Sequence, residues 1–539
     1  MIIKIYNKAK LAASVLLLAM IGFSSCTDNF ESMNRNPGEP TDPEISSYLP
    51  VIIFGQMIDN VYSSQENSYQ MNQNLIGDPY GRYLSIANKG FTRNFSIFNA
   101  PDGWVNYPYE DVFPKFYGAW RKLREKVDLE ENRMLLEWSN ILRVAAMHRI
   151  GDMYGPIPYS KIGDGINAPY DSVEDLYKNM MADMDTAIEY LTEYVEKNPD
   201  VKPLVEPDKG DVVYGSDLKK WIIFANSLKL RLAMRTVYVD PAFAKTKAEE
   251  AVNHKFGVIT SNEQMPEYVF PAGSNPVYKM SIEWGDSMPA ADIITYMKGY
   301  EDPRLPQYFT KSKLKDDNGN DLNIDYIGIR TGINIPDEKL VMGTYSGVTY
   351  SQNDPSVWMT AAEVAFLKAE GALRGWEMGD TPKSLYETGI RLSFAQWGVS
   401  GADDYINDDK KTQADYDNPK HKDASVKAVS KITIKWNAST DFEENLERII
   451  TQKWIAMYPL GTEAWSEQRR TGYPRFFPVL GNASDEPELT TRLASRIPFA
   501  PSEKLNNPTN YEDGVKKLGG SDKYGTRLWW DKKNNKPNW

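Results

Sequence analysis

The sequence predicts a mainly α fold of tetratricopeptide-like helix pairs, with long irregular loops and a few short strands. Three observations predict it. Apolar residues recur at three-and-four spacing through several long stretches, which is the signature of one buried helix face. Capping residues stand in front of these stretches. The regions between them are long and carry no sustained period, as loops or small strands do.

The chain opens with Lys4, Lys8 and Lys10 and no acids, followed by LAASVLLLAMIGF from Leu11 to Phe23. That apolar run falls short of the roughly 20 residues of a spanning helix, and its flanks are those of a secretory signal. Ser24 and Ser25 then precede Cys26, the only cysteine among 539 residues. A lone thiol forms no internal disulfide, and with His148, His254 and His421 scattered it builds no zinc site. The order reads as a lipoprotein signal, in which Cys26 is lipidated and the chain is cut before it. Phe23, where Leu or Val is more usual, makes the motif imperfect. An ordinary cleaved signal with an incidental cysteine is the alternative, but lipid attachment explains both the count and the position. The expected division is residues 1–25 as signal peptide, 26–50 as a polar, proline-punctuated tether and 51–539 as a single body.

No stretch after Cys26 offers 18 consecutive apolar residues, so the membrane is expected to be met through the N-terminal lipid alone. The formal net charge is −12, and removal of the three N-terminal lysines makes it more negative. Such a surface argues against nucleic acid as a partner.

Residues 131–150 place Met134, Trp138, Ile141 and Ala145 on one stripe, which His148 continues as a core histidine. A second helix starts near Asp171 or Ser172 and buries Val173, Leu176, Met180, Met184, Ala187 and Leu191. Gly215 and Ser216 open a third, striped by Leu218, Trp221, Ala225, Leu228 and Leu232. TAAE at 360–363 is a capping box, and Asp441 to Glu444 is a looser one. The irregular stretches are roughly 51–114, 255–357 and 400–440.

KDDNGNDLNID, Lys315 to Asp325, looks like a calcium loop until its spacing is checked. With Gly319 as the sixth loop residue, the first ligand position falls on Leu314, which has no side-chain oxygen. Asn318-Gly319 therefore reads as a hairpin turn. The acidic run from Asp403 to Asp417 reads as a solvated loop. Adventitious calcium is the most that either acidic stretch suggests, and no cofactor or metal is expected. No G-x-S-x-G, H-E-x-x-H, P-loop or dinucleotide fingerprint is present. Paired carboxylates of a glycoside hydrolase are diagnosed in space rather than in sequence, so a lipid-anchored hydrolase stays as a minor alternative to a non-enzyme.

The region Gly77 to Asp111 is rich in aromatics set among asparagines, glycines and charges. A sugar ring presents a C–H face that stacks on an aromatic plane, while its hydroxyls need polar groups at the rim. On this argument Tyr80, Tyr83, Trp104, Tyr107 and Tyr109 are candidate glycan-binding residues on loops, with Trp284 in SIEWGDSM as a further one. Trp104 is the best individual candidate. Core packing of these rings is the competing reading.

GDMYGPIPYS (151–160), KWIIFANSLKLRLAMR (220–235), YEDPRLPQYF (300–309), WMTAAEVAFLKAEGALRG (358–375), ERIITQKWIAMYPLGTEAWSEQRRTGYP (447–474) and RLWWD (527–531) together resemble the SusD/RagB family of Bacteroidetes outer-membrane lipoproteins. The resemblance implies a SusD-like fold with tetratricopeptide-like units, lipid-anchored at the cell surface. It also implies a SusC-like TonB-dependent transporter as partner and an oligosaccharide ligand captured for uptake, with an oligopeptide as the alternative. Trp221, Asn226, Arg231, Arg235, Trp454 and Arg469 lie in these motifs and are expected to hold the scaffold or dock the barrel. No ligand residue follows from the motifs, so the site residues rest on the aromatic argument.

Overall fold

The computed structural model describes residues 42–126, 132–163, 167–204, 207–270, 274–334, 343–534 and 536. Cys26, the signal segment and most of the expected tether lie outside the described residues. Helix α1 (Asp42–Asp59) takes in the last residues of that stretch, so the chain is helical from Asp42. Pro43 sits in its first turn, where a missing N–H has no partner to lose.

A correction concerns the stretch 51–114. Helix α2 (Asp102–Lys126) occupies its end, so Trp104, Tyr107 and Tyr109 stand on a helix and not on a loop. Pro108 and Pro114 lie inside α2 and make its sequence read as broken. Each removes one ladder hydrogen bond, and the helix continues through both.

Four long helices follow in succession, α3 (Arg133–Tyr154), α4 (Val173–Lys197), α5 (Leu218–Arg235) and α6 (Pro241–Asn253). Each packs on the next. Ser172 caps α4 by accepting from the Asp175 N–H, and the methionine stripe beneath, Met180 and Met184, is fully buried. Gly215 and Ser216 both take left-handed backbone ahead of α5, and Asp217 is its cap, accepting from the N–H groups of Lys219 and Lys220. His148 is buried in α3, its Nδ1 2.9 Å from the Val144 carbonyl. Burial and the charge of Arg231 hold its imidazole well below the usual range, so it is a neutral core histidine.

A second group comprises α7 (Ala361–Leu373), α8 (Pro382–Gln396), α9 (Phe442–Ala456) and α10 (Gly461–Thr471). Helix α7 packs on α8, α9 on both, and α7 also meets α5. Thr360 accepts from the Glu363 N–H, but the Glu363 carboxylate turns away to Arg231 at 2.7 and 2.8 Å. TAAE is thus half a capping box, its acid diverted to join α7 to α5. Arg235 meets Glu463 and Glu467, Lys453 meets Glu467, and Arg470 meets Glu370, all buried. This ion network ties α5, α7, α9 and α10 together. Trp221, Asn226, Arg231, Arg235, Trp454 and Arg469 are all buried and belong to the scaffold.

The irregular regions carry two small antiparallel pairs: β1 (Leu84–Ile86) with β3 (Ser287–Pro289), and β2 (Glu267–Tyr268) with β4 (Ser356–Val357). Around Asn318-Gly319 the chain reverses, Lys315 bridging to Asp321 with Gly319 at φ +85°. The Asp316 carboxylate accepts the N–H groups of Asn318 and Asn320 and so serves its own turn. In the acidic run, Asp403 pairs with Arg391 and Asp415 with Lys427, while Asp408 accepts the Lys410 and Lys411 N–H groups. No described helix is long and apolar enough to cross a membrane.

Candidate functional site

A cleft of about 490 Å³ is assembled from three distant segments, residues 86–97, 332–334 and 480–483, with Asp423 at its edge. Its first wall grows out of β1. Ala87 donates its N–H to the Asp286 carbonyl just beyond the β1–β3 pair, and Asn88 then turns the chain. The Asn88 amide donates to Asp286 Oδ1 at 2.7 Å while its Oδ1 accepts the Gly90 N–H at 2.7 Å. Asp286 is itself fixed by Gln70, 2.7 Å from its other oxygen. Both ends of Asn88 are committed, so it shapes the wall.

The floor is main chain. Gly332, at φ +82°, lies against Gly481, where an added Cβ would come 3.0 Å from the Gly332 carbonyl and 2.9 Å from Ile97 Cγ2. Leu480 donates its N–H to Thr331 and Ala483 to Ile97, which joins the three segments. Only glycine at these positions permits such an approach.

The lining is mixed. Phe91, Ile97 and Ile333 are partly exposed and Leu480 is exposed. Beside them stand exposed Lys89, Thr92, Asn334 and Asp423. Asn94 Oδ1 and Ser96 Oγ, also in the lining, are buried without a hydrogen-bond partner. Apolar faces next to amide and hydroxyl groups match a ligand that is itself apolar on one face and polar at its edge. Among the described residues no group of three or more His, Cys, Asp or Glu side chains could hold a metal ion.

The six aromatic candidates are not gathered here. Tyr80 and Tyr83 are buried at 1% and 0% exposure and have no face to offer a sugar, a correction to their expected role. The Tyr80 hydroxyl donates to the Phe95 carbonyl, and Tyr83 stacks on Trp454 while donating to its carbonyl. Burial pushes both phenols well up, so they stay neutral donors. Around α2, Tyr109 turns away from Trp104 and Tyr107, which stand three residues apart on one side of the helix. Trp104 is half-buried and packs on Phe91 and Phe95 behind the cleft wall. The Tyr107 hydroxyl is 3.4 Å from Ser68 Oγ. Tyr109 stacks on Phe113 and meets Tyr154 edge-on. Trp284 is half-buried at the end of a π-helical turn, two residues before Asp286.

Sequence reasoning passed over Phe91, Ile333, Thr92 and Leu480. Phe91 lies in the aromatic region already singled out. For 332–334 and 480–483 the only signal is a glycine beside an asparagine or a branched residue, and nothing in the sequence joins the two.

A family model described as SusD-like, Susd and RagB outer membrane lipoprotein, matches residues 32–531. Solved structures match as well. One is a chitin-binding SusD homolog from Flavobacterium johnsoniae, 39% identical, covering 90% of this chain and 99% of that one at a TM-score of 0.82. Another is a SusD homolog from Bacteroides uniformis, 39% identical, covering 90% and 100% at 0.83. A third, from Bacteroides thetaiotaomicron, is 37% identical and covers 90% and 99% at 0.82. No curated protein matches.

Proposed function

The chain belongs to the SusD-like family of outer membrane lipoproteins, binding proteins rather than enzymes, and from that premise we propose that it captures an oligosaccharide in the 490 Å³ cleft. On this reading it is held at the cell surface by a lipid on Cys26, and it passes the glycan to a SusC-like TonB-dependent transporter. The observation that carries the proposal is the lining: Phe91, Ile97, Ile333 and Leu480 supply apolar faces while Thr92, Asn334 and Lys89 supply polar edges. Branched aliphatic groups outnumber aromatic ones, which suits a methyl-bearing substituent such as an acetamido group as well as a ring face. N-acetylglucosamine oligomers are therefore the first ligands to test, in keeping with the chitin-binding homolog. No cofactor enters this reading. Capture for onward transfer calls for modest affinity, because the glycan must be released inward.

The test is calorimetric titration of the purified chain with N-acetylglucosamine oligomers, neutral plant glucans and a peptide mixture, repeated with Phe91→Ala. Binding within one glycan class that Phe91→Ala weakens supports the proposal. Retention of peptides with silence on glycans replaces it by the oligopeptide reading, and glycan binding that ignores Phe91→Ala removes the cleft from it.

A further inference from the structure

The π-helical turns Gln70–Asn74 and Lys279–Glu283 are joined to the first wall of the cleft through one residue, Asp286. Each turn closes on a bond five residues long, from the Leu75 N–H to the Gln70 carbonyl and from the Trp284 N–H to the Lys279 carbonyl, both 2.9 Å. A π turn takes in one residue more than an α turn, and such turns are frequent at functional sites. Asp286 donates its N–H to the Met280 carbonyl inside the second turn and accepts the amide of Gln70 at the start of the first. Its neighbour Ser287 repeats the connection, its Oγ 3.1 Å from both the Asn74 amide and Ser281 Oγ.

Asp286 is 8% exposed, and both side-chain donors it receives are neutral amides, Gln70 on Oδ2 and Asn88 on Oδ1. The carboxylate can only accept, and the oxygen of Asn88 faces the Gly90 N–H, so the Asn88 amide has one orientation and cannot turn over. Past Ala87 the chain leaves the strand pair, and Lys89 and Gly90 are exposed. Among the described hydrogen bonds, the one from Asn88 to Asp286 alone ties residues 88–90 to another segment. These residues run directly into Phe91 and Thr92, and Lys89, Phe91 and Thr92 all line the cleft.

We propose that Asp286 is a positioning residue for ligand capture, its carboxylate setting, through Asn88, the place of the wall that carries Lys89, Phe91 and Thr92. The proposal rests on the reading of this cleft as the glycan site. Asp286 does not line the cleft and acts through Asn88 alone. Two features suit it to the task. A hydrogen bond to an ionised acceptor is about twice as strong as one between neutral groups, so a single such bond can order an exposed turn. The π turns on either side fix the carboxylate itself, by the Met280 carbonyl at its main chain and by Gln70 at its far oxygen. Binding groups need this kind of support, because a wall displaced by about 1 Å no longer matches its ligand.

The experiment is a swap of the two partners in the full chain in detergent. Asn88→Asp sets one carboxylate against another and breaks the tie. Adding Asp286→Asn supplies the missing donor: the amide at 286 donates to the carboxylate at 88, whose other oxygen keeps the Gly90 N–H, and the amide oxygen at 286 keeps Gln70. Asn88→Ala, which deletes the bond without adding a charge, is run beside them. The readouts are amide hydrogen exchange over residues 86–93 without ligand, and calorimetric titration with an N-acetylglucosamine hexamer. Both single changes at Asn88 are expected to speed that exchange and weaken binding by about tenfold, and the double variant to return within about threefold of the parent. Exchange that neither single change alters, or a double variant no better than Asn88→Asp, would overturn the proposal. Binding that Phe91→Ala weakens and the Asn88 variants do not would also overturn it, with the glycan cleft intact. Exchange that follows the swap while binding ignores both the swap and Phe91→Ala would instead overturn the glycan reading of the cleft.

Discussion

Trp104 meets Phe91 edge to face, the ring centroids 5.0 Å apart and the planes at 89°. The tryptophan thus supports a wall whose exposed surface belongs to the phenylalanine. Phe91→Ala is expected to weaken glycan binding about tenfold, the scale of one lost aromatic contact together with its buried area. Trp104→Ala acts through Phe91, so a smaller loss of a few-fold is expected, with Trp104→Phe recovering most of it. Calorimetry on the three variants measures the order, and a Tyr107→Ala effect as large as that of Phe91→Ala would contradict it.

Tyr83 stacks on Trp454 and donates to its carbonyl, and neither residue lines the cleft. Tyr83→Phe removes the donor and leaves the buried Trp454 carbonyl with only the longer bond from the Met457 N–H, 3.3 Å. A loss of about 1–2 kcal/mol of stability is expected in urea denaturation, with glycan affinity unchanged. Tyr80→Phe should behave likewise, since its hydroxyl serves the Phe95 carbonyl.

At the cleft floor, Gly481→Ala brings a methyl 3.0 Å from the Gly332 carbonyl and 2.9 Å from Ile97 Cγ2. The floor must open or Ile97 must move into the cleft. Affinity should fall by about tenfold while the thermal midpoint drops only slightly, as overpacking of a partly exposed site costs about 1 kcal/mol. Unchanged affinity would show that the ligand does not reach the floor.

Arg470 forks onto Glu370, at 2.7 and 2.6 Å, with both side chains fully buried. Burial alone would push the Glu370 carboxyl up, but the charges of Arg470 and Arg374 outweigh it and hold it at about 2. A depressed folded-state value stabilises the fold above the unfolded value and loses that stabilisation as pH falls. Glu370→Gln is therefore expected to cost about 3–5 kcal/mol at neutral pH, the scale of breaking a buried pair. The gap between parent and variant should narrow as pH drops from 4.5 toward 2. Thermal midpoints of the two proteins across that range are the measurement.

Helices were legible in the sequence where one face is apolar and a side chain caps the start, as at Ser172 and Thr360. They were illegible where the period is interrupted, as by Pro108 and Pro114 in α2, because a proline costs a ladder bond without always ending the helix. Residues 86–97 of the aromatic-rich region line the cleft, while Tyr80 and Tyr83 of the same region are buried. Composition shows that Tyr80, Tyr83 and Phe91 stand close along the chain. Which ring turns inward is decided by partners 371 and 373 positions away, such as the Trp454 carbonyl for Tyr83 and Gly81 for the Trp454 indole. The remaining walls come from 332–334 and 480–483, which only the folded chain brings beside Phe91.

A floor made of backbone separates what the cleft is from what it admits. Gly332 and Gly481 hold the shape without contributing a side chain, while Thr92, Ile333, Asn334 and Leu480 stand around it on short loops. Those four positions can be exchanged for other residues without disturbing the helical scaffold. Libraries randomised at them, selected for a new sugar and counter-screened by thermal midpoint, would treat the protein as an adaptable receptor whose selectivity and durability are tuned independently.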